Sequence, residues 1–171
     1  MSTRADTIVR MGDWAVSADP DDSLVTIGLG SCIGLVLLDR VRRVAGLAHV
    51  MLPQARPGQA AELPPQARGK FGDLAVDALL DAVLAAGARR LGLEAALVGG
   101  AHMFNFGANQ LDVGARNEAA VRDGLAAARL PVKAAATGGN KGRTVRVHVG
   151  DGRVLVRAAQ GADELIVKGA G

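Results

Sequence analysis

A glycine turn followed by a strand constrains this chain more than any other feature. Residues 28–34 read GLGSCIG, and residues 33–39 (IGLVLLD) are apolar and β-branched, which favours a strand. A dinucleotide-binding fingerprint has the spacing G-x-G-x-x-G and leads into a helix whose N-terminus meets the pyrophosphate. Here the glycine spacing is one residue too long and a strand follows. A Rossmann-type domain is therefore excluded.

The apolar patterns assign strands and two helices to most of the chain. Strands are predicted at residues 7–18 (one strand or two short ones), 24–30, 33–39, 43–52, 91–101, 131–139, 143–149 and 153–159, and helices at residues 70–88 and 116–130. The GDG before the last strand signals a hairpin. Residues 137–144 (TGGNKGRT) lack the spacing of a phosphate loop and are interpreted as a hairpin connection. These elements fit one α/β domain with a mixed sheet and two helices.

Two segments around the first helix have a distinctive composition. Residues 53–69 hold four of the six prolines and predict a long loop, which is usually functional or mobile. In the helix that follows, apolar residues repeat with the period of an amphipathic helix. Asp73, Asp77 and Asp81 recur every fourth residue opposite that apolar stripe. Three carboxylates could bind a hard cation, but no further ligands lie nearby, so we expect a solvent-exposed face.

Composition and charge exclude several classes of protein. The 171 residues, 49% hydrophobic and 22% charged, suffice for one buried core and argue against disorder. No apolar run approaches the ~20 residues of a membrane helix, residues 1–6 lack the apolar region of a secretory signal, and a single cysteine requires no oxidising compartment. A cytoplasmic location is therefore expected. The net charge is +3, but 2% aromatic residues disfavour nucleic-acid binding. The small basic excess fits solubility or an acidic partner.

Cys32, the single cysteine, is either a buried small apolar residue or a nucleophile. Its position in a glycine turn favours the second interpretation. Successive peptide N–H groups at such a turn, here those of Gly30, Ser31 and Cys32, can converge on an anion, lower a thiol pKa and hold an oxyanion. We therefore expect Cys32 to titrate below a free thiol.

Three histidines could activate this thiol. His148 lies in RTVRVHV on the face opposite the valines and is predicted to be a solvated strand residue. His102 follows a predicted strand end and could line a site. His49 comes 17 residues after Cys32, a distance that suits a strand leaving the turn and a strand returning to it. This geometry favours His49 without excluding His102.

Several segments together resemble the chemoreceptor glutamine deamidase CheD family of chemotaxis. They are TIGLGSCIGLVLLD, GLAHVMLP, KFGDLAVDALL, LVGGAHMF, VGARN and GGNKGRTVRVHVGDGRVLV, and they extend from about residue 7 to residue 157. Two departures are mild: Phe71 replaces a tyrosine that is usual in the family, and the loop at residues 54–68 is longer and richer in proline than in many members.

The resemblance implies a fold, an activity and a site. The fold is a single-domain three-layer α/β/β sandwich with mixed sheets and two main helices, spanning residues 1–171 with flexible ends at about 1–6 and 159–171. The activity is conversion of receptor Gln side chains to Glu, with Cys32 as nucleophile, His49 as general base and Thr26 as the orienting residue. No metal or organic cofactor is implied.

Two further functions stay open beside this one. The resemblance implies a second partner, the chemotaxis phosphatase CheC, so the chain could be a docking module in which the thiol is secondary. A thiol peroxidase is a third interpretation, and it predicts peroxide consumption that depends on Cys32.

Overall fold

The computed structural model describes residues 5–103 and 112–169, in which ten strands and two α-helices are arranged in three layers. The strands are β1 Ala5–Ile8, β2 Trp14–Ser17, β3 Asp22–Leu29, β4 Ile33–Asp39, β5 Val44–Val50, β6 Leu93–Gly99, β7 Val132–Thr137, β8 Arg143–His148, β9 Val154–Ala158 and β10 Asp163–Val167. The helices are α1 Gly72–Ala85 and α2 Val113–Ala127, and short 3₁₀ helices occur at Ala60–Glu62, Pro65–Lys70 and Arg90–Gly92.

The strands form two five-stranded mixed sheets. The first sheet has the order β2-β5-β4-β6-β7 and the second has the order β1-β3-β8-β9-β10. The pairs β6–β7 and β1–β3 are parallel, and the other pairs are antiparallel. Every residue of β4 is buried, because the helices cover one face of the first sheet and the second sheet covers the other. The expected α/β/β sandwich is confirmed.

Helix α1 packs on the first sheet through its apolar stripe. Leu79 and Val83 are fully buried, and they lie over Gly46, where an added Cβ would be 2.8 Å from each side chain. The expected aspartate face, Asp73, Asp77 and Asp81, is exposed. In the described ranges no three His, Cys, Asp or Glu side chains are grouped closely enough to hold a metal.

Helix α2 occupies residues 113–127, three residues earlier than predicted at both ends. The Asp112 carboxylate accepts a hydrogen bond from the Ala115 N–H (3.2 Å) and so forms an N-cap that the sequence analysis did not identify. Val121 and Leu125 point into the core beneath the helix. None of the described helices has the length and apolarity needed to span a membrane.

Three predictions need correction or refinement. Residues 159–171, expected to be a flexible end, contain β10, which pairs with β9. The connection at 137–144 is glycine-rich as expected, but it crosses from β7 in the first sheet to β8 in the second and is not a hairpin. The predicted loop at 53–69 contains two 3₁₀ helices and is attached to β2 by the hydrogen bond from Trp14 Nε1 to the Pro65 carbonyl (3.0 Å).

Candidate active site

The Cys32 turn carries the chain from β3 in the second sheet to β4 in the first. A β-bulge precedes it, since the register with β8 shifts between Thr26 and Leu29, and Gly28 adopts a left-handed φ of 77°. The bulge allows both Thr26 and Leu29 to point into the space between the sheets, where each is fully buried. The glycine in this turn is therefore required by backbone conformation.

The turn is attached to the end of β6 by two backbone hydrogen bonds. The N–H groups of Gly100 and Ala101 donate to the carbonyls of Cys32 and Gly30, both at 2.8 Å. An added Cβ at Gly99 would lie 2.2 Å from the Cys32 carbonyl oxygen, so only glycine permits this approach. This is the physical reason for the first of the two glycines in the LVGGA segment.

The three turn N–H groups predicted to face an anion are not equivalent. The Gly30 N–H donates to the Gly28 carbonyl (3.1 Å). In the described part of the chain, the N–H groups of Ser31 and Cys32 donate no hydrogen bond. Two adjacent N–H groups therefore remain for an anionic ligand or an oxyanion.

Strand β5 brings His49 back beside the turn, as the predicted hairpin requires. His49 pairs with Gly34 in the antiparallel register of β4 and β5, which places Cys32 at a diagonal position on the same face. That face is directed at the second sheet, because Cys32 packs against the core between the sheets. Cys32 is partly exposed and His49 is fully buried, so a substrate arriving from solvent reaches the thiol first.

Thr26 fixes the tautomer of His49. Its Oγ1 lies 2.7 Å from His49 Nδ1 and 2.6 Å from the Val9 carbonyl oxygen. The carbonyl can only accept, so the single hydroxyl proton is directed to Val9 and Nδ1–H donates to Oγ1. The other ring nitrogen, Nε2, then carries a lone pair, and it has no hydrogen-bond partner among the described residues. The arrangement leaves His49 with a free basic nitrogen in the layer that also contains Cys32.

Burial shifts both titrating groups toward their neutral forms. It raises the pKa of the Cys32 thiol above its ordinary value and lowers the pKa of His49 to about 4. The expectation that the turn would lower the thiol pKa is therefore wrong, because desolvation is the dominant effect. Near neutral pH the site holds a thiol and a neutral imidazole rather than a thiolate–imidazolium pair.

The other two histidines lie in different settings. His148 is partly exposed on β8, beside the buried Val147, and its Nδ1 lies 3.0 Å from Ser23 Oγ. The predicted alternation of this strand is confirmed. His102 is exposed, and its Nδ1 lies 3.5 Å from Asp112 Oδ2. Of the three, His49 is the histidine whose ring is hydrogen-bonded to Thr26.

Asn117 contacts the Cys32 turn, although the sequence pattern does not single out this residue. This side chain on α2 is fully buried, and its Nδ2 donates to the carbonyls of Ser31 (2.9 Å) and Met51 (3.1 Å). It therefore joins the Cys32 turn to the end of the strand that carries His49. Asn117 belongs to the VGARN segment, but the sequence of that segment does not indicate that its side chain contacts the Cys32 turn.

Comparison with known proteins places the chain in a family. A model described as "CheD chemotactic sensory transduction" matches residues 51–158. The "Probable chemoreceptor glutamine deamidase CheD" of Symbiobacterium thermophilum is 44% identical over 158 residues, covering 91% of this chain and 94% of that protein. The "Chemoreceptor glutamine deamidase CheD" of Halalkalibacterium halodurans is 40% identical over 160 residues, covering 92% of this chain and 96% of that protein.

Among solved structures, the Bacillus licheniformis hypothetical protein YfiH aligns with a TM-score of 0.43 and 14% identity, covering 75% of this chain and 50% of that chain. The family assignment depends on the sequence comparisons, which extend over most of the chain at 40% identity or more. They agree with the resemblance carried by the motifs around Cys32, His49 and Asn117. The chain belongs to the CheD family.

Proposed function

We propose that this protein is a glutamine deamidase that acts on chemoreceptors, with Cys32 as nucleophile, His49 as general base and Thr26 as the residue that orients His49. The observation that carries the proposal is the hydrogen-bond chain from His49 Nδ1–H through Thr26 to the Val9 carbonyl. It leaves Nε2 unprotonated on the face that Cys32 shares. The names of the relatives supply the substrate class.

Acylation begins when the Gln carboxamide meets the partly exposed thiol. His49 Nε2 accepts the Cys32 proton as Sγ bonds to the carboxamide carbon, and the carbonyl oxygen becomes an oxyanion. We assign the stabilisation of that charge to the N–H groups of Ser31 and Cys32, which donate no hydrogen bond in the described part of the chain. The carbon–nitrogen bond then breaks, His49 returns the proton to the departing nitrogen, and ammonia leaves a thioester on Cys32.

Deacylation follows the same proton path with water as the nucleophile. His49 Nε2 takes a proton from water as the oxygen attacks the thioester carbon, and it then protonates Sγ as the carbon–sulfur bond breaks. The net reaction consumes one water and gives Glu and ammonia. Thr26 holds the ring through both steps, because its hydroxyl accepts from the nitrogen that stays protonated.

Burial of Cys32 argues against the thiol peroxidase interpretation. Peroxide reduction depends on a thiolate, and the raised pKa keeps Cys32 protonated near neutral pH. A Cys–His pair that transfers its proton only during attack is suited to carbonyl chemistry.

Docking of a CheC-type phosphatase is proposed as a second, separable property. The apolar side chains of Met103 and of Val113, the first residue of α2, are exposed and offer surface for a partner. The apolar segment MFNF (residues 103–106) is a plausible edge of this surface, but residues 104–106 lie outside the described residues. A Cys32→Ala variant should retain CheC binding by calorimetry if docking does not depend on catalysis.

The test of the deamidase proposal is mass spectrometry of the cytoplasmic helices of a chemoreceptor incubated with the protein. Deamidation adds about one mass unit per Gln. The wild-type protein should produce this change at specific Gln residues, and Cys32→Ala should not. His49→Ala should lower the rate about 10²-fold or more.

His148→Ala is the matched control, because it removes an imidazole outside the Thr26 hydrogen-bond chain and should leave the rate nearly unchanged. Deamidation that survives Cys32→Ala would refute the proposal. A larger loss from His102→Ala than from His49→Ala would transfer the role of base to His102.

A further inference from the structure

We infer that Asn117 is a positioning residue that aims the Cys32 N–H at the oxyanion by holding the Ser31 carbonyl. The inference rests on the proposed deamidase function, because it assigns a role within the same acyl transfer. It concerns the peptide between Ser31 and Cys32, whose orientation decides which way the donor points.

The Asn117 amide has one orientation that satisfies its neighbours. Nδ2 donates to two carbonyl oxygens, those of Ser31 and Met51, and carbonyls cannot donate in return. A flipped amide would place Oδ1 against both oxygens. The side chain is therefore locked, and it locks the Ser31 carbonyl toward α2.

Helix α2 reaches this position because its first turn contains Gly114. An added Cβ there would lie 2.6 Å from the carbonyl oxygens of both Gly100 and Ala101. These are the residues whose N–H groups hold the Cys32 turn. Gly114 thus lets α2 pack directly against Gly100 and Ala101. Asn117 follows less than one helical turn later.

The consequence for Cys32 follows from peptide geometry. The Ser31–Cys32 peptide bond is trans, so its C=O and N–H point in opposite directions. With the carbonyl held toward α2, the Cys32 N–H is directed away from the helix, and in the described part of the chain it donates no hydrogen bond. Oxyanion stabilisation requires donors that are fixed before charge develops, and the Asn117 contact provides that fixation.

The remaining atom of the amide supports a role beyond stability. Asn117 Oδ1 is buried without a hydrogen-bond partner among the described residues. An unsatisfied buried acceptor is destabilising, and such groups are rare in folded proteins. The side-chain hydrogen bonds of Asn117 in the described part of the chain are therefore those of Nδ2 to the Ser31 and Met51 carbonyls.

The test compares two reactions of Cys32 that differ in whether an oxyanion forms. Iodoacetamide alkylates the thiol by displacing iodide at a saturated carbon. With p-nitrophenyl acetate, Sγ attacks the ester carbonyl through an oxyanion, and p-nitrophenolate leaves. In Asn117→Ala, acylation should fall about 10²-fold, whereas alkylation at the same pH should change by less than about threefold.

Val121→Ala is the matched control, since Val121 lies one turn later on α2, is fully buried in the core beneath the helix and has no side-chain donor for the Ser31 carbonyl. It should lower stability and leave the ratio of the two rates unchanged. A second variant, Asn117→Ser, keeps one hydrogen-bond donor. If Asn117→Ala does not fold, the two rates are measured in Asn117→Ser, where acylation should fall more than alkylation but by less than about 10²-fold.

Equal losses in both reactions would overturn the inference, because they would show that Asn117 only maintains the thiol and its environment. A wild-type protein that is alkylated but not acylated would contradict both the inference and the proposed function. If the wild type is acylated and the Asn117 variants behave as expected, but no receptor Gln is deamidated, then only the proposed substrate fails.

Discussion

At the scale of single residues, burial pushes both Cys32 and His49 toward their neutral forms. In the proposed mechanism, the proton therefore stays on sulfur until a carbonyl carbon arrives. The Thr26 hydroxyl determines which nitrogen of His49 would accept that proton. One titration experiment and one substitution experiment follow from this arrangement.

The first prediction concerns the pH dependence of Cys32. Iodoacetamide alkylation should rise with an apparent pKa above the free-thiol value of about 8.5, because burial disfavours the thiolate. Deamidation should persist through pH 6 and decline only as the pH falls through about 4, where protonation removes the His49 base. The single cysteine makes the alkylation signal unambiguous. An alkylation pKa below the free-thiol value would restore the thiolate interpretation that the sequence suggested.

The second prediction concerns Thr26. Thr26→Val keeps the side-chain shape but removes the acceptor for His49 and the donor to the buried Val9 carbonyl. We expect about 1–3 kcal/mol lower stability and about 1–3 kcal/mol weaker transition-state stabilisation, measured by urea unfolding and by kcat.

Thr26→Ser is the control for that experiment, because it keeps the hydroxyl and should restore most of the turnover. Turnover by Thr26→Val at the wild-type rate would leave a Cys–His dyad in which Thr26 is only a core residue of β3.

The sequence could predict some of these residues and not others. Cys32 and His49 could be proposed as site residues because a lone thiol in a glycine turn and a histidine on the returning strand are visible as a pattern. The Val9 carbonyl has no sequence signature, since every residue carries one. The direction of the Cys32 pKa was missed because it depends on how deeply the turn is buried, which the local pattern does not determine.

At the scale of elements, α1 and the first sheet fit closely where β5 contains Gly46. The glycine leaves space for Leu79 and Val83 on the face of β5 opposite the one that carries His49. The same strand therefore supports the helix layer with one face and the site with the other.

The third prediction tests that contact. Gly46→Ala places a Cβ 2.8 Å from both helix side chains, and we expect about 1–3 kcal/mol lower stability from overpacking, measured by urea unfolding. Gly142→Ala is the control, because an added Cβ there meets nothing within 4 Å, and its stability should change by less than about 0.5 kcal/mol. If the two variants had equal free energies of unfolding, α1 would be shown to accommodate the added methyl group without loss of stability.

The elements themselves were largely predictable, but their partners were not. Alternation and apolar runs located most strands, because the central strands of the two sheets bury one or both faces. Strands β3 and β4 are neighbours in sequence yet lie in different sheets, and so do β7 and β8. The alternation of apolar residues along a strand shows which of its faces is buried. It does not show which strand pairs with it. Strand β10 was missed because residues 163–165 are exposed and two of them are acidic, as is common at a sheet edge.

At the scale of the whole molecule, β10 helps to hold the two sheets together. It is the edge strand of the second sheet, it pairs with β9, and it also contacts β7, the edge strand of the first sheet. Val167 at its end is almost fully buried in the core between the sheets, and Ile166 packs against that core. The segment 159–171, expected from the sequence to be a flexible end, therefore contributes a strand to the sandwich.

The last prediction is that removing residues 162–171 destabilises the protein, whereas removing residues 169–171 does not. The longer deletion exposes the core beneath Val167 and leaves β9 without its partner. Burying one valine contributes about 1.5–3 kcal/mol, and with the lost pairing we expect about 3 kcal/mol in total. For a chain of this size that corresponds to a decrease in Tm of about 6–12 °C, measured by thermal unfolding. Thr26 and His49 lie on β3 and β5, and Cys32 lies in the turn between β3 and β4. None of them contacts the deleted strand through a pairing of β10, so the deamidation rate per folded molecule should be retained at low temperature. Equal Tm values for the two deletions would show that β10 adds nothing to the sandwich and would return residues 159–171 to the flexible end predicted from sequence.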